Sequence, residues 1–180
     1  MLRAHPIEGR QVDRATAFAA LAEHHLDASY RLAALILGNR DEAEDATHDA
    51  FVAAWRSWGS LRDPDRFEAW FDRILVNACR DRLRRARRHP VIDLGEVLID
   101  PAAPGDFAVS TAERDAIGRS LERLNPDQRI VVILRFYRDL PVEEIAARVG
   151  VPAGTVKSRL HYALRELGVA LGGRHPEVAR

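Results

Sequence analysis

Gly150 and Pro152 stand between two runs of helical periodicity, and that arrangement constrains the fold more than any other feature of the chain. Before the glycine, Val142, Ile145, Ala146 and Val149 recur at i, i+3, i+4 and i+7, one apolar face of a helix. Glycine is the residue type that closes a helix in the left-handed conformation. Proline suits a helix start, where it has no amide hydrogen to leave unpaired. Beyond Pro152, a second apolar stripe runs through Val156, Leu160, Ala163, Leu164 and Leu167. Two short helices joined by a tight glycine-containing turn predict a helix-turn-helix over residues 139–167. The outer face of its second helix carries Thr155, Ser158, His161, Tyr162 and Arg165, with Lys157 and Arg159 on the shoulders. Such groups donate to phosphates and to base edges in a major groove. The competing reading is a plain helical hairpin whose polar face meets only water.

Charge placement points the same way. The chain is neutral overall at pH 7, but residues 61–90 are net +4 and residues 114–180 are also net +4. Residues 91–113 are net −5 with no basic residue, and residues 1–60 are net −3. Two basic blocks separated by an acidic spacer are what a phosphate backbone attracts.

Several classes drop out. Cys79 is the single cysteine, which excludes an internal disulfide and a cysteine-rich zinc site. No apolar run approaches the length of about 18 residues that a membrane-spanning helix needs, so no membrane insertion is expected. The opening MLRAHPIEGRQVDR has no apolar stretch of the signal-peptide kind, and a cytoplasmic chain is expected. No glycine-rich phosphate loop, G-x-S-x-G or H-E-x-x-H occurs, so no catalytic set and no cofactor is expected.

Strand signals reduce to Val91-Ile92 and residues 97–99, and the expected class is all-α. Residues 15–37, 41–58 and 67–88 show helical spacing. The first segment stops at Gly38-Asn39, and the second opens on Asp41 as a plausible cap with acids in its first turn. These make a first helical module, residues 15–88, preceded by an extension, residues 1–14, of which residues 1–13 are expected to be loose. Residues 89–112 hold three prolines, two glycines and four acids, and read as a flexible acidic linker. A second module covers 113–171, and 172–180 is a tail, also expected to be loose.

Two faces of the first module stand out. In segment 41–58, Ala43, Thr47, Ala50, Phe51, Ala54 and Trp55 share one side, opposite Asp41, Glu42, Asp45, His48, Asp49 and Val52. The acidic side is either a solvated surface or a docking face for a basic partner. In segment 67–88, Phe67, Trp70, Phe71, Ile74 and Ala78 face inward, while Arg66, Arg73, Arg80 and Arg84 form a stripe with Asn77 at its edge. An arginine stripe can simply keep a helix soluble; beside aromatics and the turn-rich loop 59–65 it also matches the way single-strand binders are built. The aromatics themselves read as core. Glu44 and His48 are spaced i, i+4 as metal ligands can be, but they project in different directions.

Taken in order, RDEAEDATHDAFVAAWR, FEAWFDRILVNACRDRLRR and LNPDQRIVVILRFYRDLPVEEIAARVGVPAGTVKSRLHYALREL resemble the extracytoplasmic-function sigma factors of bacterial RNA polymerase, over residues 15–88 and 114–168. The resemblance implies an alternative sigma factor that binds core RNA polymerase and promoter DNA and is held by an anti-sigma factor. It implies that Asp41, Asp45, His48, Asp49 and Val52 dock on the clamp helices of the β′ subunit. The family usually carries Gln-Glu where this chain has His48-Asp49, which leaves the face acidic. Loop 60–66, with Arg62, Asp63 and Arg66, joins Arg73, Asn77, Arg80 and Arg84 as the surface that captures the melted −10 element, where unstacked bases need a cavity beside phosphate contacts. Thr155, Lys157, Ser158, Arg159, His161, Tyr162 and Arg165 become the reader of the −35 element. The linker resembles the segment that threads toward the RNA exit path, where negative charge mimics nucleic acid.

Two other classes compete. One is a helix-turn-helix regulator that acts without replacing the polymerase's sigma subunit; it requires a ligand pocket or dimer helix in residues 15–88. The other is a helical enzyme or metal protein, which requires convergent His and carboxylate ligands.

Overall fold

The computed structural model describes residues 6–88 and 111–170, with side-chain surroundings for 14–87 and 116–170. Among them are seven α-helices and no strand, as the all-α expectation has it. The two strand-like stretches and most of the linker lie outside the described residues.

Helix α1 (Pro6–Leu37) begins earlier than its periodicity suggests. A proline in the first turn is compatible with that start, and nothing between Pro6 and residue 15 forbids a helix. Helix α1 thus takes in residues 6–14 of the expected extension. Gly38 closes α1 with φ +71°, its amide donating to Ala34 O at 2.7 Å.

Helix α2 (Arg40–Ser57) follows at once, and its cap is Asn39 rather than Asp41: the Asn39 side chain accepts from the Glu42 amide at 2.9 Å. Asp41 sits in the first turn, where its charge still suits the helix dipole. Short 3₁₀ turns at Trp58–Ser60 and Pro64–Arg66 lead into α3 (Phe67–Arg88).

The second module comprises α4 (Thr111–Arg123), α5 (Pro126–Phe136), α6 (Val142–Val149) and α7 (Ala153–Ala170). Asn125 and Gln128 form a reciprocal capping box at the start of α5. Gly150 adopts φ +72° at the end of α6 and donates to Ala146 O, so the turn of the helix-turn-helix forms as its glycine requires.

The two modules do not keep separate cores. Leu32 and Ile36 of α1, Phe71, Leu75, Val76 and Cys79 of α3, Ile130 and Leu134 of α5, and Ile145 and Val149 of α6 belong to one continuous buried cluster. A smaller cluster, Leu121, Leu124, Val132 and Ala163, holds α4 and α7 against the outer side of α5. Helix α3 accordingly buries two faces. Phe67 and Phe71 pack toward Phe18 of α1 and Phe51 of α2. Asp72 and Arg80 bond to the second module, and Val76 lies between them in helical register.

Polar ties cross the same seam. Asp72, 3% exposed, accepts from Arg148 Nε at 3.2 Å and from Arg138 at 3.1 Å. Arg138 also reaches Glu68 at 2.6 Å, and Arg80 donates to Val149 O at 3.2 Å. Arg129 of α5 is buried and donates to Leu35 O, one of the last carbonyls of α1. Burial pulls the Arg129 guanidinium down to about 10, with Glu122 opposing and Arg87 reinforcing the shift.

Candidate nucleic-acid and polymerase interfaces

Helix α2 sets out the acidic face. Asp41, Asp45, His48 and Asp49 are exposed along it and Val52 is half-buried, while Ala43, Ala46, Thr47, Ala50 and Ala54 turn into the core. Trp55, expected inside, is 38% exposed, with the Arg14 guanidinium 5.4 Å above its ring. The face is also tied down. Arg82 of α3 donates to Glu42 at 2.8 Å and to Asp49, and lies 3.8 Å from Asp45. These acceptors hold the Arg82 pKa above its ordinary value although burial pulls the other way. Sequence periodicity misses Arg82, because its partners are some 33 to 40 residues away. Glu44 and His48 both stand in solvent, and no cluster of metal-ligating side chains occurs among the described residues.

The loop between α2 and α3 presents Arg62, Asp63 and Arg66 to solvent. The Asp63 side chain accepts from the Asp65 amide at 3.1 Å and fixes the second 3₁₀ turn; Arg66 lies 3.9 Å from its carboxylate. Beneath the loop, Trp58, Phe67, Trp70 and Phe18 meet edge-on or tilted, with centroids 5.2–6.4 Å apart. The aromatics are therefore core and support for the loop, with Trp58 and Trp70 half-buried at its base.

Arg73 and Asn77 are exposed on α3, as the stripe requires. Arg80 and Arg84 are not free. Arg80 Nη1 donates to Asn77 Oδ1 at 3.0 Å, and its Nε lies 3.0 Å from Asp127 Oδ1, attracted as a charge without hydrogen-bond alignment. Arg84 donates to the other Asp127 oxygen at 3.0 Å. Burial pulls the Arg80 pKa below its ordinary value, and Asp127 opposes that shift.

On α7, Lys157, Ser158, His161, Tyr162 and Arg165 are exposed and Thr155 is half-buried. Ser158 Oγ donates to Gly154 O at 2.8 Å. Arg165 lies over the Tyr162 ring at 5.9 Å, and the His161 ring meets Tyr162 edge-on at 5.5 Å. The face is cationic and aromatic, the mixture that reads base edges and phosphates. Arg159 departs from it: its guanidinium points toward Asp127, 3.4 Å away. The residue that sequence reasoning overlooks is thus Asp127, in the first turn of α5, where arginines from both modules converge.

A family model for Sigma-70 region 2 matches residues 21–89, and one for Sigma-70, region 4 matches residues 120–167. The chain is 39% identical over 156 residues to the ECF RNA polymerase sigma factor SigM of Mycobacterium tuberculosis, covering 87% of this chain and 78% of that protein. It is 30% identical over 156 residues to the ECF RNA polymerase sigma factor SigW of Bacillus subtilis, covering 81% and 83%. Among solved structures, it resembles the sigma factor RpoE of Bartonella quintana, crystallised in complex with the anti-sigma factor NepR. The TM-score is 0.65 at 28% identity, covering 91% of this chain and 98% of that one.

Proposed function

This chain belongs to the extracytoplasmic-function sigma factors of bacterial RNA polymerase, and from that membership we propose a division of labour between its modules. The protein is a transcription initiation factor that directs core polymerase to promoters; bond-making chemistry stays with the polymerase. The acidic face Asp41, Asp45, His48, Asp49 and Val52 docks on the β′ clamp helices. Loop residues Arg62, Asp63 and Arg66 and the α3 groups Arg73, Asn77, Arg80 and Arg84 hold the opened −10 strand. Thr155, Lys157, Ser158, Arg159, His161, Tyr162 and Arg165 read the −35 duplex. Residues 15–88 and 113–171 are the two working units, joined by 89–112.

One observation carries this reading. An arginine stripe beside an aromatic-supported loop occupies one module, and a helix-turn-helix with a cationic outer face occupies the other, within one chain. Each alone binds DNA modestly; held on one polymerase, they gain effective concentration at a promoter that carries both elements. A sigma factor solved with its anti-sigma factor is among the structural relatives, which supports an anti-sigma factor as a further partner. A protein that works with core polymerase on the chromosome acts in the cytoplasm.

Run-off transcription with core polymerase on a genomic fragment library tests the proposal. New start sites that require this protein, and that shift when Arg165 or Arg73 is replaced by alanine, are expected. Failure to redirect initiation overturns it.

A further inference from the structure

We propose that Asp127 is an internal substitute for a DNA phosphate, which keeps the free protein from binding nucleic acid. Its carboxylate takes the position a phosphate would take among three guanidiniums. Arg80 and Arg84 approach from α3 at 3.0 Å each, and Arg159 from α7 at 3.4 Å. Asp127 is itself only 22% exposed, and the side chains of Arg80 and Arg159 are 13% and 23% exposed. The capping box Asn125–Gln128 brackets it and fixes the first turn of α5, so the carboxylate is held still. The helix dipole also favours the negative charge there, since Asp127 lies in the electropositive first turn of α5.

The cluster joins the two modules. It therefore does two things at once: it occupies arginines that the −10 strand and the −35 duplex would otherwise engage, and it closes α3 against α5 and α7. Opened strand brings phosphates that compete for the same guanidiniums. Any partner that draws the modules apart removes the carboxylate from among them. This inference rests on the assignment of Arg80, Arg84 and Arg159 to DNA.

The test uses the full-length chain without polymerase and a short fluorescent single strand of mixed sequence, whose binding reports phosphate contacts whatever the promoter. Asp127→Asn keeps the shape and the backbone hydrogen-bonding potential of the turn. The variant is expected to bind the strand about tenfold more tightly. Its affinity should also fall more steeply with salt, by about 0.7 in the log–log slope for each arginine released. Wild-type affinity and slope in a variant with an unchanged circular dichroism spectrum overturn the inference. Should Asp127→Asn fail to fold, small-angle scattering of the wild-type chain saturated with the strand decides: expansion on binding is expected, and strand bound to an unexpanded protein overturns it. The DNA assignment fails separately, if Arg80→Ala/Arg84→Ala leaves open-complex formation by the holoenzyme unchanged.

Discussion

Arg148 of α6 donates through Nε to Asp72 Oδ2 of α3 at 3.2 Å, and both residues are less than a tenth exposed. The pair spans the two modules and lies beside apolar residues, so neither charge has an easy alternative in water. Breaking a buried pair by deleting one partner leaves the other uncompensated, which costs about 3–5 kcal/mol. Arg138 still reaches Asp72, so Arg148→Ala should cost the lower end, about 3 kcal/mol. Asp72→Ala should cost more, since it removes the carboxylate that two guanidiniums share and leaves them only the more exposed Glu144 and Glu68. Urea denaturation measures both; equal costs would show that Arg138 does not share the carboxylate.

Gly38 is constrained twice. Its φ of +71° belongs to the left-handed region, and a Cβ there would lie 2.8 Å from Arg129 Nη2. Gly38→Ala should destabilise by about 1–3 kcal/mol, roughly 1 of it from the backbone alone. In an Arg129→Ala background the steric part should vanish and only the backbone part remain. An undiminished penalty in that background would place the clash elsewhere.

His25 has its pKa held below the ordinary 6.5, first by burial and then by His24; Glu68 and Asp72 pull upward and Arg138 downward. The folded protein therefore resists protonating a group that the unfolded chain protonates readily. Its contribution to stability is present above pH 6.5 and is lost as the pH falls below that value. Chemical denaturation from about pH 7.5 down to about 5.5 should show the decline, and His25→Gln should flatten it. A curve unaltered by the substitution assigns the decline to another group.

Arg165 projects from α7 into solvent and has no acidic partner within ion-pair distance among the described residues. Arg165→Ala should leave stability unchanged and weaken duplex binding. The salt slope should fall by about 0.9, because one phosphate fewer is neutralised. Arg159→Ala should act differently, because it also takes a guanidinium away from Asp127. Anisotropy titrations against duplex DNA over a range of salt separate the two. Identical slopes for wild type and Arg165→Ala would remove this residue from the duplex interface.

Asp49 combines two roles that one titration can separate. It pairs with Arg82 and stands on the face assigned to β′. Asp49→Asn should cost less than about 1 kcal/mol of stability, as half-exposed ion pairs do. It should weaken association with core polymerase by a larger factor than that change in folding energy explains. Core affinity unchanged in a folded variant would remove Asp49 from the docking face.

Local signals in the sequence are strong where a single residue settles the backbone. Gly150 must take the left-handed turn, and Gly38 ends α1 for the same reason, so the helix-turn-helix and the break after residue 37 are readable. Asn39 hides as a cap because Asp41 offers an equally good side chain two residues later. Leu75, Val76 and Cys79 escape because one apolar face already accounts for α3; a helix that buries two faces carries no single stripe. Asp72, Arg129 and Arg148 look like surface charges, and each is buried because its partner comes from the other module. Asp127 gives no sign at all, since the arginines that surround it enter from helices distant in the chain. What stays hidden is the packing of one module on the other, which depends on tertiary contacts rather than on any short pattern.

Arg129 reaches across from α5 to satisfy a carbonyl in the last turn of α1, beside the glycine from which α2 departs. Without that guanidinium the carbonyl loses its donor and the joint at Gly38 loses its brace. The corner from which α2 departs is thus held by a side chain some ninety residues further along the chain.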